Sequence, residues 1–247
     1  MGAKNIHSEP FDNGTITKLE IFEDYAQAWI PTFVMQPQFG EIHIFDFFSG
    51  PGYDSNKVAG SPIRILNKIK EQLGNILSSK TKIVLHFNEF EPNRKAQQKF
   101  ELLKKNCEEY IAHNSKFKYF LSVNYYNENA ENLFFKLIPI IREFPSLVYL
   151  DQNGVKFISQ EYLDELEKLK TTDFIYFVSS SFFKRYGKTE EFKRALEIET
   201  EELESEEYRT MHRLVLNKIN SRLPENSELK LFPFSMKINR KISLIFL

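Results

Sequence analysis

Acidic residues and a pair of glycines stand where the predicted strands end. Asp46 lies near the end of the apolar run 41–47, and Gly50 and Gly52 follow as a Gly-x-Gly turn. A second apolar run is followed by Glu89. Glycine permits positive φ and lets the backbone approach a ligand closely. In doubly wound α/β folds this order of strand, glycine turn and acid builds a nucleotide site, with the second acid on the ribose hydroxyls.

Glu89 is preferred to Glu91 for that role. Glu91 stands at the predicted start of the next helix, where the helix dipole alone favours an acid. The separation of Gly52 and Glu89 exceeds the roughly 20 residues of the dinucleotide fingerprint, and the excess lies in the loop 53–60. A third glycine is also missing from the fingerprint position, so the pattern disfavours NAD.

The elements that must position these residues alternate between strand and helix. This alternation predicts an α/β fold, a Rossmann-like, doubly wound and mostly parallel sheet with helices on both faces. The predicted strands are 41–47, 82–87, 117–123, 147–150 and 174–178, with a final hairpin or strand at 236–247. The predicted helices are 16–30, 62–77, 92–113, 130–142 and 160–169, with a long helical stretch at 190–223. Ser61 is expected to be the N-cap of the second helix, with Pro62 at its first position.

Four segments are predicted along the 247 residues. They are a helical lead-in (1–40), an α/β core (41–185), a helical insertion (186–230) and the final strands of the core (231–247). An apolar run up to Leu247 is unusual for a terminus, so we expect the natural chain to continue beyond it.

Composition excludes several classes of protein. The single cysteine, Cys107, rules out an internal disulfide framework and fits a reducing compartment. A formal net charge of -1 provides no field for non-specific nucleic-acid binding, although a local patch could still bind a phosphate backbone. The first residues lack the apolar core of a signal peptide, and no segment is long enough to span a bilayer. We therefore expect a cytoplasmic protein without a membrane partner.

Other catalytic chemistries find little support in the residues. Cys107 lies in a predicted helix, so it cannot be the nucleophile for methylation at pyrimidine carbon-5. The histidines are scattered, which argues against a metal site, and His43 and His86 occupy strand positions where packing is expected. The sequence contains neither a phosphate-binding loop nor a Gly-x-Ser-x-Gly elbow, and Ser179–Ser181 are interpreted as loop residues.

Two charged segments each allow two interpretations, one structural and one functional. Lys184–Lys188 with Arg194 is interpreted as a solvated helix start, or else as a contact for a phosphate backbone. The run Glu190–Glu207 is interpreted as an exposed helix face, or else as a docking surface for a basic partner.

The acids and the glycine turn resemble those of class I S-adenosylmethionine-dependent methyltransferases. The matching residues are Asp46, Phe48, Gly50 and Gly52, followed by Glu89 after the second strand. The resemblance implies that the first-strand acid and the turn hold the methionine moiety of S-adenosylmethionine, and that Glu89 holds its ribose.

A narrower resemblance is to the three-Cys-motif partner proteins, and it covers residues 16 to about 185. These prokaryotic proteins carry a methyltransferase-like domain and are often encoded beside a protein with three clustered cysteines. The shared motifs are Phe-Ser-Gly-Pro-Gly (48–52), Gly-Ser-Pro (60–62), Asn-Glu (88–89), Leu-Asp-x-x-Gly-Val (150–155) and Thr-Asp-Phe (172–174).

Two positions depart from the pattern of methyltransferases that act on amino groups. Their fourth-strand motif, Asp/Asn-Pro-Pro-aromatic, reads Asp151-Gln152-Asn153-Gly154 here. Asp151 or Asn153 could still accept a hydrogen bond and orient the lone pair of an amine. The third strand ends without the acid that usually binds the adenine amine, and Tyr125 could stack on adenine instead.

Three functional hypotheses follow. The first is methyl transfer from S-adenosylmethionine to a nucleic-acid amine or a related acceptor, in a prokaryotic mobile-element or defence setting. The second is a catalytically silent, methyltransferase-like scaffold that partners a three-cysteine-motif protein. The third, a metal-dependent nuclease built on Asp46, Glu89 and Asp151, would leave the glycine turn unexplained.

Overall fold

A computed structural model of the protein describes residues 10–36, 38–92, 98–151, 157, 159–179, 189, 193, 211–238 and 241–246. The strands are β1 (Glu41–Asp46), β2 (Lys82–Asn88), β3 (Leu121–Tyr126), β4 (Ser146–Leu150), β5 (Thr172–Ser179), β6 (Pro233–Ile238) and β7 (Lys241–Phe246). The helices are α1 (Asn13–Val34), α2 (Ser61–Glu71), α3 (Leu73–Ser79), α4 (Gln98–Ala112), α5 (Ala130–Glu143), α6 (Gln160–Glu167) and α7 (Met211–Asn220).

The strands follow the order β3-β2-β1-β4-β5-β7-β6. β1 is parallel to β2 and to β4, and β2 is parallel to β3. β7 runs antiparallel to both β5 and β6, which confirms the predicted hairpin at the end of the sequence. This strand order confirms the predicted fold class, a Rossmann-like sheet of the class I methyltransferase type, and α7 is a helix between β5 and β6.

By its internal contacts the chain divides into two compact units, Met1–Tyr149 and Leu150–Leu247. The first contains β1, β2 and β3 and the helices α1 to α5, and the second contains β5 to β7. The four segments expected from the sequence stay a prediction. None of the helices in the described ranges is both long enough and apolar enough to cross a membrane.

β1 and β4 are buried on both faces, as strands inside a parallel sheet are, whereas the edge strand β3 is only partly buried. Successive side chains of a strand point to opposite faces, so neighbouring residues at the end of β1 contact different helices. Asp46 faces the start of α2, whereas Phe47 packs against Phe134 of α5, with ring centroids 5.8 Å apart. On β4, Tyr149 stacks on Phe22 of α1 at 4.2 Å. Helices therefore cover both faces of these strands.

Several element boundaries differ from the predictions, and three of the differences concern α2, α3 and β3. Gly60, not Ser61, is the N-cap of α2, because the Ser61 hydroxyl is bound to Asp46 and makes no cap. The second predicted helix is interrupted at Gln72, which separates α2 from α3. The third strand begins at Leu121, because Ser115–Tyr119 forms a 3-10 helix that buries Phe117.

Candidate functional site

Asp46 lies at the carboxyl end of β1, with 1% of its surface exposed. Its Oδ1 atom accepts a hydrogen bond of 3.0 Å from the Phe48 amide, and its Oδ2 atom accepts one of 2.6 Å from the Ser61 hydroxyl. Ser61 is the first residue of α2, and the aligned peptide dipoles favour a negative charge there. The carboxylate therefore ties the end of the first strand to the start of the next helix.

The turn after β1 requires glycine at two positions. Gly50 has a φ of 64° and Gly52 a φ of 90°, in a region that other residues enter at a cost of about 1–2 kcal/mol. The Gly52 carbonyl accepts a hydrogen bond of 2.8 Å from the Gly60 amide. Asn106 of α4 donates through Nδ2 to the Pro51 carbonyl at 2.7 Å. Contacts from α4 and from the N-cap of α2 therefore fix the shape of the turn.

The long loop that separates the turn from α2 is organised around Asp54, which is 5% exposed. Its Oδ1 atom accepts from the amides of Asn56 and Val58, and its Oδ2 atom accepts from the amide of Phe11. Burial alone would raise the pKa of Asp54, but the three backbone donors hold it below its usual range. The excess length noted between Gly52 and the second acid is therefore ordered structure.

Glu89 follows β2 and reaches back to the glycine turn. Its Oε2 atom accepts a hydrogen bond of 2.9 Å from the Gly50 amide, and no donor among the described residues contacts its Oε1 atom. Burial raises the pKa of the Glu89 carboxyl, and Glu91 adds to the rise, whereas Lys99 and the Gly50 amide oppose it. Asp46, Gly50 and Glu89 thus lie together, and one oxygen of Glu89 remains an acceptor.

Asn88 holds this arrangement together, although no role for it was predicted. Its side chain is 2% exposed, and its Nδ2 donates at 3.1 Å to the carbonyls of both Phe47 and Glu128. Its Oδ1 accepts from the Glu128 amide at 3.1 Å. One side-chain amide therefore joins the loop after β1 to the loop after β3. The signals for it in the sequence were a polar residue directly after an apolar strand and its place in the Asn-Glu motif (88–89).

Glu91 serves the following helix, as predicted. Its Oε2 atom accepts from the amides of Lys99 and Phe100, at 2.8 and 3.1 Å, in the first turn of α4. These contacts give Glu91 a structural role, and it is therefore not counted among the candidate site residues.

Phe90, between the two acids, is an exposed aromatic side chain that was not singled out in the sequence. It is 44% exposed and directly follows Glu89 in the chain. An exposed aromatic ring can offer a stacking face for a base. Its position directly after a predicted ribose-binding acid could have identified it.

Two other candidate cofactor residues lie in the first unit. Phe48 is partly buried in the turn, where its amide donates to Asp46. Tyr125 lies on β3 beside Phe87, and its hydroxyl is buried towards Cys107 of α4. Burial raises the pKa of the Tyr125 hydroxyl, and it also raises the pKa of Cys107 to about 12. Cys107 is helical, as expected, and its thiol is a packed group.

The candidate acceptor residues are only partly described. Asp151 follows β4 in the second unit and is partly exposed. Asn153 lies outside the described residues, as do the basic cluster Lys184–Lys188 with Arg194 and, except for Lys193, the acidic run 190–207. Within the described ranges, no group of three or more His, Cys, Asp or Glu side chains is placed to hold a metal ion.

Comparisons with known proteins give matches among solved structures alone. No protein-family model matches the sequence, and no curated protein matches it either. Among solved structures, the chain is similar to the O-methyltransferase TomG from Streptomyces achromogenes, which is involved in tomaymycin synthesis and was solved in complex with SAM. The identity is 12%, the match covers 94% of this chain and 79% of TomG, and the TM-score is 0.44. The strand order, and not this distant likeness, identifies the fold as that of class I methyltransferases.

Proposed function

We propose that the protein binds S-adenosylmethionine and is a methyltransferase. The observation that carries the proposal is the contact between the Gly50 amide and Glu89 Oε2, which joins the turn after β1 to the acid after β2. In a sheet of this strand order, that point is the carboxyl edge where nucleotides bind. The second oxygen of Glu89 is an acceptor for a ribose hydroxyl.

Each residue of the candidate site has a distinct role in this proposal. Glu89 accepts from the ribose hydroxyls, and Gly50 and Gly52 let the backbone approach the methionine end closely. Asp46 acts through the turn, because its carboxylate is already bound to the Phe48 amide and to Ser61.

We assign the adenine face to Phe90 in place of Tyr125. Phe90 is 44% exposed and directly follows Glu89 in the chain, whereas the Tyr125 hydroxyl is buried towards α4. Asp151 and Asn153 remain the proposed residues that orient the acceptor, a nucleic-acid amine or a related group. S-adenosylmethionine would supply an electrophilic methyl group, and an acceptor oriented by a carboxylate or amide oxygen would present its lone pair to it.

Calorimetric titration with S-adenosylmethionine and S-adenosylhomocysteine tests the proposal. We expect micromolar binding to the parent protein and at least tenfold weaker binding to Glu89→Gln, a loss of about 1.4 kcal/mol. Glu91→Gln is the matched control. Because the Glu91 carboxylate caps α4, this substitution should leave the affinity for S-adenosylmethionine unchanged. No binding to a folded parent protein would overturn the proposal.

A specific observation favours the second hypothesis, a silent scaffold that partners a three-cysteine-motif protein. Asp46 is 1% exposed and both of its carboxylate oxygens accept hydrogen bonds from the protein. A scaffold would keep this buried arrangement for stability alone. Failure to bind either cofactor form, together with formation of a stable complex on co-expression with a neighbouring three-cysteine-motif protein, would support the scaffold.

A further inference from the structure

Four polar side chains form a continuous hydrogen-bonded line across three strands of the first unit. His43 Nε2 contacts Glu41 Oε1 at 2.9 Å, His43 Nδ1 contacts His86 Nε2 at 2.9 Å, and His86 Nδ1 contacts the Tyr126 hydroxyl at 3.0 Å. Both histidines are 3% exposed, as expected for packed strand residues. The line runs from Glu41 at the start of β1 to Tyr126 at the end of β3.

The chemistry of the four groups determines where the protons lie. An ionised carboxylate only accepts, so His43 carries its proton on Nε2 and accepts at Nδ1 when it is neutral. His86 must then carry its proton on Nε2, which leaves Nδ1 to accept from the Tyr126 hydroxyl. Every donor therefore points towards Glu41.

The surroundings keep both imidazoles neutral at neutral pH. Burial lowers the pKa of His43 against the opposing effects of Glu41 and of Glu143 on α5. Burial, with His43 as a neighbour, lowers the pKa of His86 to about 3. At the far end, burial and Glu128 raise the pKa of Tyr126. Neutral imidazoles at His43 and His86 and a protonated Tyr126 hydroxyl are thus the ground state.

We propose that this line is a one-proton switch, in which uptake of a single proton reverses the direction of all the hydrogen bonds between His43 and Tyr126. The Tyr126 oxygen takes a proton from solvent as its own proton passes to His86 Nδ1, and the His86 Nε2 proton passes to His43 Nδ1. The product is an imidazolium at His43 beside the Glu41 carboxylate. No other bond changes.

The reversal changes what Tyr126 can do. In the neutral state its proton is committed to His86, so the hydroxyl can only accept from another group. In the protonated state the hydroxyl accepts from His86 Nδ1, and its proton is free for a second acceptor. Tyr126 borders a narrow crevice together with Asn88 and Leu133, and its carbonyl accepts from the Glu89 amide at 3.1 Å. The switch therefore ends next to the carboxyl edge of the sheet.

Nitrogen-15 NMR of the histidine side chains in the full chain tests the switch without any ligand. At neutral pH we expect the Nε2–H tautomer for both His43 and His86. In Glu41→Lys the terminal acceptor becomes a donor, so both histidines should change to the Nδ1–H tautomer without added acid. Tyr126→Phe removes the other end but keeps Glu41, so both histidines should retain the Nε2–H tautomer.

Two results of the NMR experiment would overturn the proposed switch. An Nδ1–H tautomer at either histidine in the parent protein at neutral pH would overturn the switch even if no variant folds. Retention of Nε2–H in a folded Glu41→Lys protein, judged by its near-ultraviolet circular dichroism, would overturn it as well. Neither result bears on cofactor binding, so the switch and the proposed methyltransferase function can fail separately.

Discussion

The Oε2 atom of Glu89 accepts a hydrogen bond of 2.9 Å from the backbone amide of Gly50, which joins the segments that follow two neighbouring parallel strands. The contact sets the distance between the glycine turn and the acid before any ligand binds. It also holds a carboxylate whose ionised form is penalised, because burial raises its pKa. The recognition role proposed for Glu89 would therefore come at a cost in stability.

That cost predicts the behaviour of Glu89→Gln. A folded-state pKa raised above the unfolded value stabilises the protein below the unfolded pKa, and this stabilisation is lost as the pH rises through the folded pKa. Glutamine is uncharged and can still accept from the Gly50 amide, so at pH of about 8 the variant should be at least as stable as the parent. Urea unfolding at that pH would measure it, and a lower free energy of unfolding would contradict the argument.

Ser61→Ala should destabilise the protein by about 1–3 kcal/mol, because it leaves the buried Asp46 carboxylate without its hydroxyl donor. Ser122→Ala on β3 is the matched control, since Ser122 is exposed and such changes stay within about 0.5 kcal/mol. Thermal and urea unfolding of both variants would give the difference. Equal stabilities would show that the Ser61 hydroxyl is not needed.

Two glycine substitutions should act in opposite directions. Gly52→Ala forces a side chain into a φ of 90° and should cost about 1–3 kcal/mol. Gly74→Ala, inside α3, places its Cβ in open space and should add about 0.5–1 kcal/mol through its helix preference. The free energies of unfolding of both variants against the parent would test this. A neutral Gly52→Ala would mean that the turn can rearrange.

The buried histidines predict acid sensitivity. Their folded-state pKa values lie below the unfolded value of 6.5, so the unfolded chain binds more protons and stability falls as the pH falls through that value. For His86 the loss continues down to about 3. The slope should approach about 1.4 kcal/mol per pH unit for each histidine.

Urea unfolding between about pH 7 and about pH 5 would measure that slope. His86→Asn should reduce it, whatever it does to the absolute stability. The exposed His113 offers the matched control, so His113→Gln should keep the slope of the parent. A steeper slope in His86→Asn than in the parent would refute the assignment.

Phe90 and Leu102 allow a paired test of the adenine face, because their exposed fractions are nearly equal, 44% and 45%. Phe90→Ala should weaken binding of S-adenosylhomocysteine by about 1–3 kcal/mol, the range for stacking of a base on an aromatic ring. Leu102→Ala on α4 should leave the affinity unchanged. Calorimetry would decide, and equal affinities for the two variants would remove Phe90 from the site.

The fold and part of the site could be read from the sequence because both depend on local patterns. Apolar runs mark buried parallel strands, and parallel strands bring their carboxyl ends to one edge, which places Asp46 and Glu89 in the same region. Ser61 was misassigned as a cap because its partner, Asp46, lies 15 residues earlier in the chain. Composition near Phe117 resembles a strand, yet its burial in a 3-10 turn is a tertiary effect.

Contacts between side chains that depend on the register of the strands were not predicted. His43 pairs with Val84 and His86 pairs with Phe45, so the contact of the two imidazoles is diagonal and requires the exact alignment of β1 and β2. The same holds for Asn88 and Glu128, which are 40 positions apart in the chain. No local pattern of residue types encodes such an alignment.

The side-chain amide of Asn88 couples the loop after β1 to the loop after β3. The Asn88 side chain is hydrogen-bonded to the Phe47 carbonyl and also to the amide and the carbonyl of Glu128. A displacement of the Phe47 carbonyl would therefore strain the hydrogen bonds to Glu128. Exchanging either loop for one from another protein would therefore disturb the other, even if the new loop had the same length. A redesign of this edge of the sheet should therefore change the two loops and Asn88 together.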